Sequence, residues 1–136
     1  MAAKKSSGSL DTNVLLRLTL NDVPAQTRAV EALLKRGGIY HIEDVALVEM
    51  VFVLEKLYRM PRDMVVDNVL AVINHEQFVT SERLFELALP MYVAQPSLSF
   101  MDCMLLAYAR FGQRTPLHTF DKALVKHAKG DAKSVL

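Results

Sequence analysis

Ser99-Phe100-Met101-Asp102-Cys103-Met104-Leu105-Leu106, closed by Gly112 and followed by Pro116-Leu117-His118-Thr119-Phe120-Asp121, decides the fold class. The first run continues to about residue 111 and is long enough for a helix. Ser99 stands where an N-cap hydroxyl is wanted, and Gly112 where a helix stops. Residues 116–120 form a brief strand candidate, and Asp121 opens a further short helix.

The same alternation runs outward toward the N-terminus. A helix is expected over about 81–94, and Gln77-Phe78-Val79 is a short strand. Met60-Pro61-Arg62-Asp63 breaks the chain and starts a helix that carries Met64, Val65, Val66, Val69, Leu70, Val72 and Ile73. Residues 43–59 are another helix, preceded by the strand candidate Ile39-Tyr40-His41-Ile42. Asn21-Asp22-Val23-Pro24 is a turn and helix start, since proline suits a first turn whose N–H lacks an intrahelical partner. Ala29, Val30, Leu33 and Leu34 follow at helical spacing until Gly37-Gly38 stops the helix. Leu10-Asp11-Thr12-Asn13 leads into Val14-Leu15-Leu16. Short strands alternating with helices predict an α/β domain with a mostly parallel sheet covered on both faces. Residues 1–9 are expected to be a flexible tail, 10–130 the domain, and 131–136 a C-terminal tail with little to offer a fifth strand. There is no internal repeat and no sign of a second domain.

Composition narrows the class. With 51% hydrophobic and 23% charged residues, the chain can build one core and is not of the disordered type. The formal charge of +1 neither announces nor excludes a nucleic-acid partner. A single cysteine, Cys103, rules out an internal disulfide and lies in an apolar run as a core thiol. No apolar stretch is long enough to span a bilayer, and the polar start lacks the apolar middle of a secretory signal. A cytoplasmic protein without a membrane association is expected.

Four acids stand out. Glu49 is the one polar residue between Val45 and Leu54, a stretch that predicts a helix buried all round. Burying an unpaired carboxylate costs several kcal/mol, about the worth of a large core side chain, so compensation is expected. Asp102 lies in the first turn of an equally apolar helix. Asp11 and Asp121 each follow an apolar residue, Leu10 or Phe120, where a strand passes into a helix. Ligands of open parallel sheets bind outside the carboxyl ends of the strands, where Asp11, Asp121 and the start of the Asp102 helix should gather. Taken singly, Asp11 and Asp121 suit N-caps, Asp102 a helix dipole, and Glu49 a buried arginine partner. Taken together, they suggest a shared cation, because clustered carboxylates otherwise repel. Hard divalent ions such as Mg²⁺ bind oxygen ligands of this kind. His41, His75, His118 and His127 show no close ligand spacing, and with one cysteine a zinc site is not expected.

At this level the chain resembles the PIN domains. Leu10-Asp11-Thr12-Asn13-Val14-Leu15-Leu16 is similar to their first motif, and Leu47-Val48-Glu49-Met50-Val51-Phe52-Val53-Leu54 to their second. Ser99-Phe100-Met101-Asp102-Cys103-Met104-Leu105-Leu106-Ala107 is similar to the third, and Leu117-His118-Thr119-Phe120-Asp121-Lys122-Ala123-Leu124 to the fourth. The likeness runs over about residues 10–129 and is nearest to the VapC-type toxins of toxin–antitoxin pairs. It implies a three-layer α/β/α fold, a Mg²⁺- or Mn²⁺-dependent endoribonuclease, a homodimer and a cognate antitoxin. It also implies that Asp11, Glu49, Asp102 and Asp121 are the catalytic and metal-binding quartet, supported by Asn13, Thr119 and Ser99. In PIN domains several apolar residues precede the first Asp. Here only Leu10 does, so a weak first strand is expected. Arg17, Arg59, Arg62, Arg110, Arg114, Lys122 and Lys126 are candidates for a basic rim that would hold RNA. The apolar helices of residues 43–73 could supply a dimer surface.

Three other readings stay open. A haloacid-dehalogenase-type phosphatase also uses an Asp at a strand end, but wants a second Asp where Asn13 stands. A receiver-like phosphoacceptor needs an adjacent acidic pair, which Asp11-Thr12 is not. A non-catalytic PIN-fold module that binds antitoxin or RNA would keep the fold without the chemistry.

Overall fold

The computed structural model describes residues 5–136, so residues 1–4 of the expected tail lie outside the described residues. The chain forms two compact units, divided after Ser81.

The first unit contains β1 (Gly8–Ser9), α1 (Thr12–Leu20), α2 (Pro24–Lys35), β2 (Tyr40–His41), α3 (Asp44–Lys56), α4 (Arg62–Ile73) and β3 (Phe78–Val79). Its strands form one parallel sheet in the order β1-β2-β3, with Gly8 opposite Tyr40 and Tyr40 opposite Phe78. Gly8 and Ser9, expected to belong to a tail, are therefore strand residues. Backbone pairing alone accounts for this, because a ladder needs N–H and C=O groups rather than apolar side chains. The ladder begins with Ser7 N–H donating to Ile39 O at 2.7 Å and ends with Leu10 N–H donating to His41 O at 3.0 Å. Gly38 makes this approach possible. Its φ is +114°, and a Cβ there would stand 2.5 Å from the Ser7 hydroxyl, so no other residue fits without a shift.

Pro24 occupies the first turn of α2, as its chemistry predicts. In α3 the buried residues are Ala46, Leu47, Met50, Val51 and Leu54, a single stripe at helical spacing. The helix is not buried all round: Val45 is 76% exposed and Phe52 60%. Leu15, Leu47, Met50, Leu54, Val65 and Val69 are fully enclosed and form the core of this unit.

The second unit contains α5 (Glu82–Ala94), α6 (Phe100–Phe111), β4 (Leu117–Thr119), α7 (Lys122–His127) and β5 (Ala132–Ser134). Helices α5 and α6 share an aromatic cluster. The Phe100 ring stacks on Phe85 at 6.2 Å and meets Tyr92 edge-on at 5.2 Å. Strands β4 and β5 pair in parallel, Leu117 opposite Ala132 and Thr119 opposite Ser134. This corrects the expectation that residues beyond Gly130 form no strand. The chain leaves α7 through Lys129 and Gly130, both at positive φ. Arg110 then grips Asp131 at 2.7 Å, and Leu117 N–H donates to Asp131 O at 2.8 Å. Ala-Lys-Ser has no strand signature of its own; the anchor at Asp131 delivers it to β4.

The fold class is α/β, with short strands that are parallel throughout the described residues. Among those residues no helix is long and apolar enough to cross a membrane.

Candidate active site

In the first unit Asp11 directly follows the β1 ladder and caps α1. Its Oδ1 accepts from Val14 N–H at 3.1 Å. The next residue, Thr12, is buried, and its hydroxyl donates to Ala46 O at 3.2 Å. That bond pins the start of α1 to the first turn of α3. Glu49 lies on α3 three residues beyond Ala46, a little under one turn. Sequence reasoning placed Asp11 and Glu49 but missed Thr12, the residue that couples their elements.

In the second unit Ser99 is the N-cap of α6, as expected. Its hydroxyl accepts from Asp102 N–H at 3.1 Å, and Asp102 Oδ2 accepts from Ser99 N–H at 3.0 Å, a reciprocal capping box. Asp121 caps α7 through Oδ1, which accepts from Leu124 N–H at 3.0 Å. The Thr119 hydroxyl accepts from Asp121 N–H at 3.0 Å and fixes the turn that presents this acid. Asp121 follows β4, and α6 returns to β4 through the short 112–116 connection. Chain direction thus turns the Asp102 end of α6 toward the Asp121 end of β4.

The expectation that these acids suffer costly burial is overturned. Asp11, Glu49 and Asp121 are exposed and Asp102 is half-buried. Glu49 shares the open face of α3 with Val45 and Phe52, so water solvates it. Asp11, Asp102 and Asp121 sit at positive helix ends, which stabilise negative charge. Each of these three uses one oxygen as a cap and keeps the other without a hydrogen bond among the described residues. Capping therefore orients the carboxylates without consuming them. Asn13 is exposed and its side chain makes no hydrogen bond among the described residues.

Oxygen donors of this type suit a hard divalent cation. Among the described residues no three His, Cys, Asp or Glu side chains are grouped so as to hold a metal ion. Each unit carries two of the four acids, on segments that follow that unit's own strands or on the helix that leads into one.

Two candidates for a basic rim are committed elsewhere. Arg17 pairs with Asp22 at 2.8 Å and its side chain is only 13% exposed. Arg110 is held by Asp131 and by Ala128 O at 2.9 Å. Arg59, Arg114, Lys122 and Lys126 are exposed and make no ion pair among the described residues.

Asp22 also accepts a 2.6 Å hydrogen bond from the Tyr58 hydroxyl. That bond holds the Asp22 carboxyl below its ordinary value of 3.8, with Arg17 adding to the effect, and it pushes the Tyr58 hydroxyl above 10.0 against the opposing pull of Arg17. A lowered acid stabilises the fold above its unfolded pKa and loses that contribution as pH falls; a raised phenol contributes below its own and loses it as pH rises. Melting curves should therefore show a loss below pH 3.8 and another above pH 10.0, and Tyr58→Phe should remove the alkaline part. An unchanged alkaline limb in Tyr58→Phe would contradict this account of the pair.

The PIN-domain family profile matches residues 9–130, and the parallel α/β frame is consistent with that fold. The chain belongs to the PIN-domain family. PIN membership points to nuclease-type, hydrolytic chemistry on nucleic acid, and PIN nucleases generally use divalent metal ions. A search of curated proteins gave no match.

Proposed function

We propose that this PIN domain, residues 10–130, is a metal-dependent endoribonuclease of the VapC type, the toxin of a toxin–antitoxin pair. The observation that carries the reading is a family match whose span, residues 9–130, includes all four acidic positions in the order their motifs require. Asp11, Glu49, Asp102 and Asp121 would hold Mg²⁺ or Mn²⁺. The bound ion would neutralise the scissile phosphate and lower the pKa of an attacking water. Either Glu49, which is exposed and free of hydrogen bonds among the described residues, or Asp121 would help to take up a proton from the attacking water. The caps at Ser99 and Thr119 would hold Asp102 and Asp121 in orientation, so that little rearrangement accompanies substrate binding. Arg59, Arg114, Lys122 and Lys126 would draw in the RNA backbone, with affinity falling as salt rises. Leu57, Met64 and Leu70, apolar and exposed in the 43–73 segment, suit a second copy or a cognate antitoxin.

A second reading is a non-catalytic PIN-fold module that binds RNA or antitoxin. The Gly-Ser composition of β1 favours it, because Asp11 follows a strand with no apolar side chain of its own. One experiment separates the two. The purified full chain is incubated with single-stranded RNA in Mg²⁺, in Mn²⁺ and in EDTA. The enzyme reading expects cleavage with either metal and none in EDTA; intact RNA under all three conditions, with RNA still bound, would favour the module.

A further inference from the structure

Helix α2 and the turn from α4 into β3 border an open cleft of about 680 Å³ in the first unit, within the range of small-ligand sites. The lining residues precede β2 and β3, whereas Asp11 follows β1, so the cleft lies at the amino ends of the parallel strands. Leu18, Ala32 and Leu34 give it an apolar floor. Arg28, Glu31 and Lys35 line it from one face of α2, three and four residues apart. Such spacing commonly lets an acid neutralise its basic neighbours, yet Glu31 pairs with neither among the described residues. Both cations remain open.

Two further groups are fixed and only partly used. His75 Nδ1 accepts from Gln77 N–H at 3.1 Å, and its ring stacks on Phe78 at 4.0 Å. In the neutral ring the proton then resides on Nε2, an N–H without an acceptor among the described residues. Gln77 Nε2 donates to Leu34 O at 3.0 Å and to Gly38 O at 3.2 Å, capping the end of α2. Those bonds set which end of the amide is nitrogen and leave Oε1 as an unused acceptor. The lining therefore carries two cations with one carboxylate, Glu31, between them on the helix, together with one oriented N–H, one oriented carbonyl and three apolar side chains.

We propose that this cleft binds a nucleoside monophosphate whose base carries an exocyclic amine. The phosphate takes the charge of Arg28 and Lys35 and the His75 N–H, the base lies on the apolar floor, and its amine donates to Gln77 Oε1. None of the four acids lines the cleft, and binding there does not depend on the proposed cleavage.

The test is a calorimetric titration of the full chain with AMP, adenosine and inorganic phosphate. AMP is expected to bind, with adenosine and phosphate each at least about tenfold weaker, because each lacks half of the recognition. The double variant Arg28→Gln/Lys35→Gln should lose about tenfold or more in AMP affinity with an unchanged melting temperature, since both side chains are exposed. Asp102→Asn should bind AMP as the wild type does. Absence of AMP binding up to about 10 mM would overturn the proposal. So would equal AMP affinity in the double variant, or loss of binding in Asp102→Asn, which would place the nucleotide at the acids instead.

Discussion

Asp102→Asn is expected to lower RNA cleavage by at least about 100-fold while leaving the fold intact. Changes in the groups that merely support a metal ligand already cost about 10–100-fold, and here the charge of a proposed ligand is removed. The substitution is selective because of how Asp102 is used. One oxygen accepts from Ser99 N–H, and the asparagine carbonyl can make the same bond. The helix loses only a favourable charge at its positive end, about 0.3–1 kcal/mol. Cleavage rates and melting curves on the same samples check both halves. Equal cleavage by wild type and variant would show that the activity belongs to a contaminant or to other residues. Alanine would confound the result, because it removes the cap together with the charge.

Phe100→Ala is expected to destabilise the second unit severely. Its ring is 4% exposed and lies against Phe85 and Tyr92, neither of which is exposed at all. Emptying such a site costs about 3–5 kcal/mol in lost transfer energy and residual cavity. For a chain of this size that is a fall of roughly 10–20 °C in melting temperature. Phe100 also stands between Ser99 and Asp102, so the same ring that closes the core anchors the helix end carrying the acid. A fall of less than about 2 °C would contradict this view of the aromatic cluster.

The helices were legible because each has a start, a stop and an apolar stripe. Pro24, Ser99, Gly112 and Asp121 all do in the structure what their chemistry predicts. Strands β1 and β5 were not legible. Gly8-Ser9 and Ala132-Lys133-Ser134 carry no alternating apolar pattern, and both are strands because neighbouring backbone recruits them. The exposure of Glu49 was hidden for a different reason. Val45 and Phe52 look like core residues in a sequence, yet they face solvent, and the acid faces solvent with them. Residues that act through local chain geometry could be read; those that act through distant partners could not.

Binding of Mn²⁺, followed by the loss of its free-ion paramagnetic resonance signal, tests the central claim most directly. The wild-type chain is expected to take up the ion, and Asp11→Asn, Glu49→Gln, Asp102→Asn and Asp121→Asn should each weaken uptake. A wild-type chain that leaves millimolar Mn²⁺ free, or four variants that bind it as the wild type does, would contradict the account.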